Sequence, residues 1–96
     1  MKYIDLLNLR KGLEICKPIQ DRNFQAILSR ILSEIDNELR NAFPEAITMD
    51  KLQDVEKLNV EVDKVFTKIK NIPEGVNFWQ YNILKEYMNK NRKKLL

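Results

Sequence analysis

The sequence predicts an all-α domain, a small bundle of three to four helices. Three observations lead there. Apolar residues between positions 24 and 42 recur every three or four places. Proline and glycine are confined to a few points that punctuate the chain. Finally, 44% apolar and 32% charged residues suit a packed core under a charged surface.

The first helix is expected from Tyr3 to Ile15, with Tyr3, Leu6, Leu7, Arg10 and Leu13 at helical spacing and Leu9 widening the apolar face. Gly12 weakens it slightly. Lys17-Pro18 closes it, because a residue before proline is pushed out of the helical region. The second helix is the clearest. Asp21 is a suitable N-cap. Phe24, Ile27, Leu28, Ile31, Ile35, Leu39 and Ala42 form one broad stripe, and Pro44 stops the helix after Phe43.

A third helix is expected from near Thr48 or Met49, carried by Leu52, Val55 and Leu58, with Asp50 and Asp54 at its positive end. Residues 59–70 read two ways. Val62, Val65, Phe66 and Ile69 continue a helical stripe, which is the favoured reading. Val60 and Val62 alternate with polar neighbours as an extended segment would, which is the alternative. Pro73-Glu74-Gly75 marks a turn, and Asn77 caps a last helix over 78–89. On that helix Trp79, Ile83 and Tyr87 are expected along one stripe, flanked by Phe78, Tyr81, Leu84 and Met88. The whole chain, 1–96, reads as one helical domain with a basic tail over 90–96.

The net charge of +3 is unevenly spread. Lys85, Lys90, Arg92, Lys93 and Lys94 against Glu86 give residues 85–94 a charge of +4, leaving −1 for residues 1–84. One cysteine, Cys16, allows no intrachain disulfide, and no apolar run reaches the ~20 residues of a membrane span. These features point to the cytoplasm.

Catalysis is not expected. There is no histidine, hence no imidazole base or ligand; a single thiol builds no zinc site; Gly12 and Gly75 are too far apart to form a phosphate-cradling loop. Glu34 and Glu38, four apart on a helix, could in principle share a metal, and a solvated helix face is the stronger reading. No cofactor is implied.

The stretch TKIKNIPEGVNFWQYNILKEYM, residues 67–88, resembles the C-terminal part of a family of small uncharacterised phage and prophage proteins of low-GC Gram-positive bacteria. There a KI-K…E-G-V segment precedes a short leucine-rich helix. The front half agrees in layout: Leu6 to Ile15, the Pro18 break, then the long helix from Phe24 to Leu39. The chain departs from the pattern at Phe78-Trp79-Gln80-Tyr81, where the family has small or proline-containing residues, and its insert after the long helix is shortened to Pro44–Met49. The resemblance implies a phage origin, with the host cytoplasm as the compartment, and no particular mechanism.

Three binding roles follow. The leading one is a protein-interaction module that self-associates or meets a host or phage protein, with Phe78, Trp79, Tyr81, Leu84 and Met88 as interface candidates. Completion of a small core is the competing role for the same aromatics. A second is an anti-defence sponge for a small nucleotide signal, with Tyr3, Arg10, Lys11, Arg22 and Arg30 as anionic-ligand candidates. A third is nucleic-acid binding by the tail through Lys90, Arg92, Lys93 and Lys94; a tail without interleaved aromatics disfavours it.

Overall fold

The computed structural model describes residues 1–43, 62 and 64–91. Three helices lie within them: α1 (Tyr3–Glu14), α2 (Arg22–Ala42) and α3 (Phe78–Asn91). No strand is found among the described residues, so the fold is all-α. The expected helix near Thr48–Leu58 lies outside the described residues.

The helix ends are set by local chemistry. Asp21 caps α2, its Oδ1 accepting from the Phe24 amide at 2.9 Å, as expected. The start of α3 is a reciprocal capping box. The Gln80 amide donates to Asn77 Oδ1 at 2.8 Å, and the Asn77 amide donates to Gln80 Oε1 at 3.0 Å. The Gln80 Nε2 then donates to the Ile15 carbonyl at 3.1 Å, satisfying an acceptor at the end of α1. One side chain thereby ties the end of α1 to the start of α3. Just upstream, Gly75 adopts φ +82°, a left-handed turn conformation that a side chain disfavours.

The core is one cluster. Leu6, Leu9, Leu13 and Cys16 come from α1 and its end, Phe24, Leu28, Ile31, Ile35 and Leu39 from α2, and Leu84 and Tyr87 from α3. α1 packs against both other helices, whereas α2 and α3 do not pack directly on one another. Gly12 lets α3 approach: a Cβ there would sit 3.3 Å from Ile83 Cγ2. The helix-weakening glycine of α1 is therefore a packing position.

The favoured helical reading of 59–70 is corrected over residues 64–70, which form neither helix nor strand. This segment bridges α2 and α3 and inserts Phe66 and Ile69 into the core, with Val62 just before them. Side chains take the place of a helical hydrogen-bond ladder. The Asn91 carboxamide accepts from the Phe66 amide and donates to the Phe66 carbonyl, both at 2.8 Å. Glu34 accepts from the Thr67 amide at 2.8 Å and from its hydroxyl at 2.9 Å. The Tyr87 hydroxyl donates to the Thr67 carbonyl. Buried main-chain groups need partners, and here α2 and α3 supply them laterally. The 62–66–69 spacing of apolar residues suits this inserted segment as well as a helix, which is why periodicity misread it.

Candidate interaction surface

Part of the polar surface of α3 faces inward. Gln80, Leu84, Tyr87 and Asn91 are the buried positions. The expected stripe through Trp79, Ile83 and Tyr87 is therefore rotated: Trp79 leaves the core, and Gln80 and Asn91 enter it because main-chain groups of Ile15 and Phe66 require them. Core completion is thus overturned as the role of Phe78 and Trp79, which are 72% and 70% exposed.

The five interface candidates divide. Leu84 is fully buried and Met88 packs partly against the core, so Leu84 is corrected from interface to core. Phe78 and Trp79 form an edge-to-face pair with centroids 6.3 Å apart. Tyr81 is 43% exposed and sits under Lys85, whose Nζ is 5.9 Å from the ring centroid. Successive helical residues are ~100° apart, so Trp79 and Tyr81 leave α3 on opposite flanks of Gln80. The Trp79 flank is that of Ile83, which faces Gly12 of α1. Phe78 and Trp79 form one exposed apolar pair, and Ile15, 52% exposed, is a further uncovered apolar residue at the end of α1.

The anionic-ligand candidates are not gathered into one site. Arg10 is engaged by two carboxylates, Asp36 on α2 and Glu14 one turn along α1. Hydrogen bonding to Asp36 and Glu14 holds the guanidinium well above its ordinary pKa. The Tyr3 hydroxyl donates to Glu38 at 3.4 Å, and burial together with that carboxylate raises its pKa. Lys11, Arg22 and Arg30 are exposed. A groove of about 400 Å³ does lie along α1 and α2, between Arg10, Lys17, Ser29, Ser33 and Asp36, but it holds only Arg10 of the five, already neutralised. Glu34 and Glu38, the carboxylate pair, are committed to Thr67 and Tyr3. Of the tail candidates, Lys90 pairs with Glu86 at 3.0 Å, and Arg92, Lys93 and Lys94 lie outside the described residues.

The Arg10–Asp36 pair makes stability acid-sensitive. Hydrogen bonding to Arg10 holds the Asp36 carboxyl below its ordinary value of 3.8. The unfolded chain then takes up that proton first, so the contribution is present above pH 3.8 and fades as pH falls through the lower folded value. Thermal melts should be flat near neutrality and decline below about pH 4, and Arg10→Met should remove part of that decline. An identical acid profile in the variant would contradict the assignment.

Cys16 is fully buried, and burial pushes its thiol up to about 11. Thiolate is the reactive form, so iodoacetamide at pH 8 should label the native chain far more slowly than the urea-unfolded chain. Equal rates would place the thiol at the surface.

No helix among the described residues is long and apolar enough to cross a membrane. Comparison of the chain with known protein families, curated proteins and solved structures finds no match.

Proposed function

We propose that this chain is a non-enzymatic interaction module that pairs with a second copy through the exposed Phe78–Trp79 pair. The exposure of the Phe78–Trp79 pair carries the reading. Two aromatic side chains, each about seven-tenths uncovered, leave about 300 Å² of mostly apolar surface in water per copy. Covering it on both copies is worth on the order of 10 kcal/mol gross, the scale of the association cost that any complex must overcome. A self-complementary pairing about a two-fold axis buries the same patch twice, which makes a second copy the simplest partner. A phage or host protein that docks on the patch is the alternative partner, and the 67–88 stretch supports a phage origin.

A sponge for a nucleotide signal has weaker support, because Arg10 and Tyr3 are occupied by carboxylates. Trp79 is the only tryptophan, so its emission reports directly on this patch. Dilution of the purified chain should shift that emission to the red as the ring returns to water. Emission that stays solvent-like and unchanged at every concentration would count against self-pairing.

A further inference from the structure

We infer that two copies pair by exchanging α3: the turn at Pro73-Glu74-Gly75 opens, and α3 of each copy packs on residues 1–72 of the other. The inference rests on the self-pairing proposed above and states which element each copy gives to its partner.

α3 joins the rest of the described chain through one connection, 71–77, that contains neither helix nor strand. The contacts that seat α3 are made with residues before that connection. Gln80 reaches the Ile15 carbonyl, Tyr87 reaches the Thr67 carbonyl, and Asn91 holds both main-chain groups of Phe66. Ile83 lies against Gly12. α1 is the helix that α3 packs on, so α3 leaves the contact between α1 and α2 in place when it moves. A second copy offers the same partners in the same geometry. Exchange therefore keeps these contacts, and for identical elements it is a low-cost route to a dimer.

The closed connection depends on one left-handed residue, Gly75 at φ +82°. A Cβ built there meets no atom within 4 Å, so the turn is open to solvent at that point. Pro73 biases Ile72 toward extended backbone, the conformation that an opened connection needs. Opening also brings the exposed aromatics together. Extended chain from residue 72 to residue 78 reaches about 20 Å, so exchanged copies hold their hinge ends within that distance. Phe78 and Trp79 are the first two residues of α3, directly after the hinge. Both aromatic pairs then lie at the junction between the copies, whereas a single closed copy leaves them in water.

The test places a disulfide across the contact between α1 and α3. Gly12→Cys with Ile83→Cys suits it, because a Cβ at position 12 lies 3.3 Å from Ile83 Cγ2, within the reach of a disulfide. Cys16→Ala removes the competing thiol. The chain is oxidised at tens of micromolar, and its dimer fraction from size exclusion is run on a denaturing, non-reducing gel. Exchanged copies should be linked to each other and migrate as a covalent dimer. Single chains closed by internal disulfides would overturn the exchange and leave pairing through Phe78 and Trp79 standing. Absence of any dimer fraction would overturn both. Gly75→Ala, with the other residues native, carries the test even where the disulfide variant fails to fold. Left-handed backbone disfavours alanine against glycine by about fivefold, and two hinges open in each dimer. Under exchange the association constant should therefore rise about 25-fold. An unchanged constant, the result for contact between two closed copies, overturns the inference.

Discussion

Asn91→Ala is expected to lower the unfolding free energy by about 3 kcal/mol, because it strands two buried main-chain groups at once. Asn91 is 4% exposed and serves both the amide and the carbonyl of Phe66. An unsatisfied buried donor or acceptor costs about 1–3 kcal/mol, and neither group lies where water replaces the lost partner. Urea unfolding followed by circular dichroism measures the difference. Asn91→Asp sharpens the reading, since its carboxylate still accepts from the Phe66 amide but faces the carbonyl with an oxygen. It should lose a substantial part of the same stability near neutral pH. A loss below about 1 kcal/mol in the alanine variant would mean that the 64–70 segment is not held in this way.

The second large effect is on association. Truncating Phe78 and Trp79 together to alanine should weaken self-pairing by at least 100-fold, the scale of aromatic anchors at the centre of an interface. The same variant should keep the unfolding free energy of an isolated chain within about 0.5 kcal/mol, as for other surface positions. The two side chains are too exposed to support the core, so stability and association should separate cleanly. A variant that loses stability but not association would return both rings to a packing role.

Much of the fold is legible in the sequence. The bounds of α1 and α2 and the Asp21 cap follow from apolar spacing and one acidic residue before a stripe. The turn before α3 and the Asn77 cap are legible too, and the N-x-x-Q pattern at Asn77–Gln80 signals the reciprocal box more fully than the asparagine alone. The rotation of α3 is not legible. Its apolar residues surround the axis, so hydrophobicity selects no face. The choice is made by Gln80 and Asn91, polar residues that go inside to serve main-chain groups distant in sequence. Reading apolar spacing alone therefore puts Trp79 on the stripe of Ile83 and Tyr87, whereas the structure turns it outward.

The carboxylates show the same limit. Spacing alone places Glu34 and Glu38 together on one face of α2. It does not reveal that Thr67 and Tyr3 occupy them, because both partners arrive from elsewhere in the chain.

Light scattering coupled to size exclusion tests the central reading most directly. At tens of micromolar the chain should elute with twice its mass of 11.5 kDa, and the Phe78→Ala, Trp79→Ala variant should return to a single copy. A wild-type chain that stays at one copy across that range would contradict pairing through this patch.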